Sequence, residues 1–322
     1  MVELNPQVQE LLDQANQGFD TPINIKVDED TKSGVLRNDN GDTEVTRDGV
    51  GTITISDSTN VDYTLSHELW HLLLQEMNYP TTGTAVHTAN KSFDDQMRAI
   101  AGALESAVIH SLVISWQMDN NIVTPEVLTQ VRKGIEEDTP VETDVKDDGE
   151  VLTRIFNLLD GLVLLGGPES DLVSAWYTKY PVALDIATKL FQVIQDTDIQ
   201  DARGYRAAIV KLFNKFNEVM VAFDIALDFA GFIVVTPVLS TRQLRLSLNQ
   251  IYQLQDIGYT SNKPHTIAYD AKGIQDGQTA FVLQLAKNQT SPEFFQKLYA
   301  RPLRDVLDEY EIGFYERKPE TK

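Results

Sequence analysis

The sequence predicts an α+β chain: a small N-terminal sheet and one motif-bearing helix, followed by a mostly α-helical portion. Three observations carry that expectation. Gly51-Thr-Ile-Thr-Ile-Ser56 alternates Thr with Ile, the pattern of a short strand. From Asp62 onward the period changes, and Leu65, Leu69, Leu72, Leu73 and Met77 form an apolar stripe at helical spacing. Beyond residue 150 the apolar residues again recur mostly at helical spacing, in segments punctuated by Pro and Gly.

In chain order, residues 7–16 predict a short amphipathic helix with Val8, Leu11, Leu12 and Ala15 on one side. Pro22-Ile-Asn-Ile-Lys-Val27 predicts a first strand. Residues 28–50, rich in Asp, Gly, Asn and Thr, predict turns with a weak strand such as Gly34-Val-Leu-Arg37. The strand at 52–56 is followed by a turn at Asp57, Ser58, Thr59 and Asn60. The next helix is capped by Asp62 or Thr64 and ended by Pro80. After a loop over 80–91, a helix from Phe93 to Gln117 carries Ile100, Ala103, Leu104, Ala107, Val108, Leu112, Val113 and Trp116 on nearly every side, which predicts burial. Gly134 to Glu150 is acidic and reads as an exposed linker. Helices are then expected at 151–165, 169–194, 202–230, 240–255, 273–287 and 292–310. The implied organisation is a metal-binding domain over 1–133, a linker over 134–150 and a helical domain over 151–322.

The 322 residues include 42% hydrophobic side chains, enough for a packed core. Lys and Arg total 27 against 48 Asp and Glu, a net charge of −21. That charge argues against nucleic acid or an anionic membrane as partner. No cysteine is present, so disulfides and thiolate metal sites are excluded, and His and carboxylate remain as ligands. The start, Met1-Val-Glu-Leu-Asn-Pro, has neither a basic nor an apolar signal region, which predicts a cytoplasmic protein. No run approaches the roughly 18 apolar residues of a membrane span. The densest stretch, 219–238, is broken by Asp224, Asp228 and Pro237. Arg242 and Arg245 make a small basic face that reads as solvated.

The chemistry concentrates at His67-Glu68-Leu69-Trp70-His71. On a helix, residues four apart lie one turn above the other, so His67 and His71 can aim two imidazoles at one ion. Glu68 is placed to act as general base on a water at that ion. A catalytic zinc needs a third protein ligand. Of His87, His110 and His265, none continues the motif within its own helix, since Leu74 and Met77 occupy the positions a Gly and a third His would need. A carboxylate from another helix is therefore expected, and Glu105 is the best candidate. It sits between Leu104 and Ala107 on the apolar helix, where ligation would justify burying a charge. The competing account pairs Glu105 with a buried Arg98 or has it cap a polar pocket. Asp94 and Asp95 read as caps, Glu76 points off the metal face, and His110 reads as a core or surface histidine, with a partner of the metal ligands or a transition-state donor as the alternatives.

The block Ile53-Thr-Ile-Ser, then Tyr63-Thr-Leu-Ser-His-Glu-Leu-Trp-His-Leu-Leu-Leu74, resembles the zincin metallopeptidases. With Glu105 in Leu104-Glu-Ser-Ala-Val108 it looks like their gluzincin branch, and more loosely it is similar to the ImmA/IrrE-like intracellular peptidases. The resemblance covers about residues 50–110. It implies a Zn2+ held by His67, His71 and Glu105, with Glu68 as base and a peptide or protein as substrate. The strand at 52–56 would lie beside the site and add an extended substrate as an extra strand. The alternative is a zincin-fold binding or regulatory protein that does not cut.

Overall fold

The structure is a computed structural model that describes residues 3–143, 149–223, 225, 227–260 and 265–317. It is mixed α+β and divides into two compact units, residues 1–77 with 106–195 and residues 78–105 with 196–322. The expected boundaries at 133 and 150 both fall inside the first unit.

The first unit opens with α1 (Pro6–Ala15), capped by the Asn5 side chain on the Gln7 N–H and started by Pro6. Its Val8, Leu11, Leu12 and Ala15 are buried, as their spacing predicts. Strands β1 (Asn24–Val27), β2 (Gly41–Val45) and β3 (Gly51–Ile55) form one sheet in the order β1-β3-β2. β1 runs parallel to β3, with Ile25 opposite Ile53, and β2 runs antiparallel to it, with Thr43 opposite Ile53. Ile53 and Ile55 face the core. The expected strand at 34–37 is absent, because Val35 and Leu36 are buried in a loop that ends in the 3-10 turn Asn38–Asn40.

Helix α2 (Val61–Glu76) carries the histidine motif. Its start is set by Asn60, whose side chain accepts the Tyr63 N–H at 2.9 Å, and not by Asp62 or Thr64. Asp62 instead accepts the Asn5 N–H at 2.9 Å, while Thr64 is buried. Helix α3 (Lys91–Asp119) is 29 residues long and passes the length and composition test for a membrane span. Met97, Ala101, Leu104, Ala107, Val108 and Val113 on it are buried in the protein. α4 (Pro125–Asp138) is capped by Thr124, so the first residues of the expected linker are helical; residues 144–148 lie outside the described set. α5 (Val151–Leu165) ends at Gly166, which takes a left-handed φ of 86°. After the short α6 (Trp176–Lys179), α7 (Pro181–Gln195) packs along α5 through Leu184, Ala187 and Leu190, which are almost fully buried.

In the second unit β4 (Thr82–Thr84) precedes the first half of α3. α8 (Ala202–Met220) follows, then α9 (Phe229–Phe232) and β5 (Ile233–Val235), which pairs antiparallel with β4. β6 (Val238–Ser240), α10 (Thr241–Arg245) and α11 (Leu248–Ile251) lead into a three-stranded antiparallel sheet. Its strands are β7 (Tyr252–Thr260), β8 (Thr266–Gly273) and β9 (Thr279–Ala286). α12 (Pro292–Tyr299) and α13 (Leu303–Glu309) complete the cluster of Tyr252, Tyr269, Phe281, Leu283, Leu298 and Leu307. β10 (Tyr315–Arg317) returns parallel to β6.

This sheet corrects the mostly helical expectation for 151–322. Residues 273–287 form a turn and β9, and 240–255 form two short helices and the start of β7. Burial along the end of β9 alternates, with Phe281, Leu283 and Leu285 inside, and that period suits a strand against α12 and α13. The expected helix at 292–310 breaks at Pro302, and the one at 202–230 ends at Met220.

Candidate metal centre

Three imidazoles from two helices of the first unit converge. His67 and His71 leave α2 one turn apart, and His110 comes from α3. One nitrogen from each lies within 4.8 Å of the others. The Nε2 atoms of His67 and His71 are 3.1 Å apart. Two nitrogens bound tetrahedrally to one zinc at 2.0–2.1 Å would stand about 3.3 Å apart, so the pair already has the separation that a shared ion imposes. The ring centroids of His67 and His110 are 4.6 Å apart.

The chemistry of this donor set also suits a metal. Burial, with His110 and His71 alongside, holds His67 well below the usual imidazole range. Burial also lowers His71, to about 4. Both rings are therefore neutral near pH 7, the form that offers a lone pair. His110 is buried, and its Nδ1 hydrogen-bonds Asp160 Oδ1 on α5. Its Nε2 lies 3.3 Å from Ser106 Oγ on the same helix. Asn38, on the turn before β2, donates to Asp160 Oδ2 at 2.6 Å. Burial alone would raise the Asp160 carboxyl, but His110 and these hydrogen bonds outweigh it and hold it low. A carboxylate behind a ligating imidazole sets its tautomer and its direction. Asp160→Asn is therefore expected to weaken metal binding by about 10–100-fold. Competition against a chelator reads this directly, and an unchanged affinity would remove Asp160 from the centre.

The two helices are held in register by polar groups. Gln117 is fully buried on α3 and donates to Ser66 Oγ at 2.8 Å and to the Tyr63 carbonyl at 3.0 Å on α2. Trp70 and Trp116 meet edge to face beside them.

Glu68 follows the first histidine and turns toward β2, where Thr43 donates to its Oε2 at 2.7 Å. Burial raises its carboxyl above the ordinary value, against the Thr43 hydrogen bond. Gly41 leaves room for it: a methyl group there would stand 2.5 Å from Glu68 Oε1.

Glu105 is placed differently from its expected role. Thr82 Oγ1 donates to its Oε2 at 2.5 Å, and the Tyr205 hydroxyl also bonds it, both from the second unit. Its burial is therefore satisfied by hydroxyl donors. The metal-capable group among the described residues is His67, His71 and His110. Arg98 does not pair with Glu105 either; it bonds Asp95. The capping contact at the start of α3 comes from Asn90, whose side chain accepts the Phe93 N–H at 3.2 Å, while Asp94 within the first turn accepts from Thr88.

The strand at 52–56 is not free to take a substrate strand. β3 is the middle strand, with both edges paired. Among the described residues, the unpaired edges of that sheet belong to β1 and β2. No protein-family model, curated protein or solved structure matches the chain.

Proposed function

We propose that the chain is a zinc-dependent, zincin-like metallopeptidase whose ligands are His67, His71 and His110 and whose general base is Glu68. The observation that carries this reading is the meeting of three imidazoles at ligand spacing, two of them buried and His71 half-buried, with a buried carboxylate next in sequence to one of them. A structural metal site has no use for such a carboxylate, whereas hydrolysis does. Zinc, when bound, would supply Lewis-acid polarisation of a peptide carbonyl and acidify a water.

The protein's own groups do the rest. Glu68, raised by burial, accepts the proton of the attacking water and hands it to the leaving amine. Thr43 orients the carboxylate through Oε2. Asp160 and Asn38 keep His110 from rotating. β2, whose Thr43 touches Glu68, offers its outer edge to an extended peptide backbone. The substrate class is thus a peptide or an unfolded segment of a protein.

Two measurements on one preparation test the proposal. Elemental analysis of protein purified without added metal should find close to one zinc per chain. Digestion of a mixed peptide library should then yield products that a chelator abolishes and zinc restores. Metal without cleavage would favour a binding protein built on the same site. Neither metal nor cleavage would sink the reading.

A further inference from the structure

One face of α8 walls a cavity of about 470 Å³ in the second unit, with Arg203, Arg206 and Lys211 along it. These positions recur at helical spacing with Ala207 and Val210 between them, so their side chains leave the same side of the helix. The facing wall comprises Val238 and Leu239 on β6, the junction at Ile251 and Tyr252, and the turn from Gly273 to Asp276. Asp276 is the one carboxylate in the lining. Three cations against it leave two positive charges over.

That surplus stands in a chain with 48 acidic and 27 basic residues. Several arginines elsewhere are paired, as Arg37 is with Glu137, Arg301 with Glu309 and Arg304 with Glu316. Here the pairing is incomplete. Arg206 donates one terminal nitrogen to Asp276 Oδ2 at 2.5 Å, while its Nε is buried without a partner. A guanidinium N–H taken out of water with no acceptor is unfavourable, and Asp276 meets only one terminal nitrogen of this side chain. Lys211 donates to Thr197 Oγ1 at 3.1 Å, a neutral acceptor. Arg203 has no acidic partner among the described residues.

We propose that this cavity binds a small phosphate monoester, with its phosphate on Arg203, Arg206 and Lys211 and its organic part against Val210, Val238, Leu239 and Ile251. Charge decides the class. A phosphate monoester carries about −1.5 to −2 at neutral pH, which balances the surplus, whereas a monocarboxylate leaves half of it. Arginine forks match phosphate oxygens in pairs, and lysine adds a compact charge. A lone phosphate would leave the apolar lining in water, and the volume suits a larger ligand. The net charge of −21 repels anions in general, so an anion stays only where the local field is reversed.

Calorimetric titration of the full chain at fixed ionic strength tests this, with phenyl phosphate as probe and benzoate and inorganic phosphate as comparators. Phenyl phosphate is expected to bind with a Kd on the order of 0.1 mM, and each comparator about tenfold or more weaker, since each lacks part of the matched contacts. The double variant Arg203→Ala with Lys211→Ala should weaken phenyl phosphate at least about tenfold. Both side chains are exposed, so its melting temperature should stay near that of the parent. Absence of heat at millimolar phenyl phosphate would overturn the proposal. So would an unchanged affinity in the double variant, benzoate binding as tightly, or inorganic phosphate binding as tightly.

Discussion

His110→Ala is expected to lower metal affinity by about three orders of magnitude, taking one ligand's share of the roughly 10–16 kcal/mol that small zinc sites supply. The same measurement on Glu105→Gln should give an affinity close to that of the parent. The contrast follows from where the two side chains point on one helix. His110 turns an imidazole to His67 and His71, while Glu105 accepts from Thr82 and Tyr205. Chelator competition separates the outcomes, with thermal melts as a control for folding. His110→Ala should shift the melt mainly in the metal-loaded protein, because binding energy adds to the stability of the folded state. Full metal retention in His110→Ala would break the triad. Metal loss in Glu105→Gln, with a normal melt, would return the third ligand to a carboxylate.

The second large effect lies in turnover. Glu68→Gln keeps the size of the side chain and can still accept the Thr43 hydrogen bond through its amide oxygen. It cannot take a proton from water. Peptide hydrolysis should fall by about 10²–10⁴, the usual contribution of a positioned general base, which is roughly 3–5 kcal/mol of barrier. Metal content should not change, since Glu68 is not among the converging ligands. Near-parental turnover in Glu68→Gln would take this carboxylate out of the mechanism.

The first half of the chain was legible because its periods are clean. The alternating Ile residues of β3 and the leucines of α2 each match one template; β3 lies within a residue of its expected ends, and α2 starts slightly earlier and stops about a turn short of Pro80. His67 and His71 were legible for the same reason, since a spacing of four means one helical face. His110 was hidden because α3 is apolar on nearly every side, so no stripe marks the face it shares with α2. Two signals were present. Ser106, His110 and Gln117 stand close to one line along α3, and Asp160 is a lone charge in Leu158-Leu159-Asp160-Gly161-Leu162. A buried carboxylate demands a partner, and Asp160, among leucines and a glycine, meets that condition more severely than Glu105. The sheet of the second unit was misread because β8 and β9 contain Ala, Leu, Gln and Lys, which favour helices in isolation. Packing of alternate residues against α12 and α13 overrides that preference.

The division of the chain into units that interleave along the sequence carries a consequence for synthesis and for truncation. All three histidines, Glu68 and Asp160 lie within residues 1–195, so a fragment ending there would contain every group of the proposed metal centre. It would also contain residues 78–105, whose companions arrive only later. β4 would lack β5, Phe93 would lack Phe232, and Glu105 would lose Tyr205. On the ribosome the same stretch waits unpaired until residue 235 has emerged. An open strand edge and an uncovered aromatic ring during that interval are a sticky surface, so the part of this chain that carries the three converging histidines cannot be cut free at residue 195 without exposing a segment that belongs to the other unit.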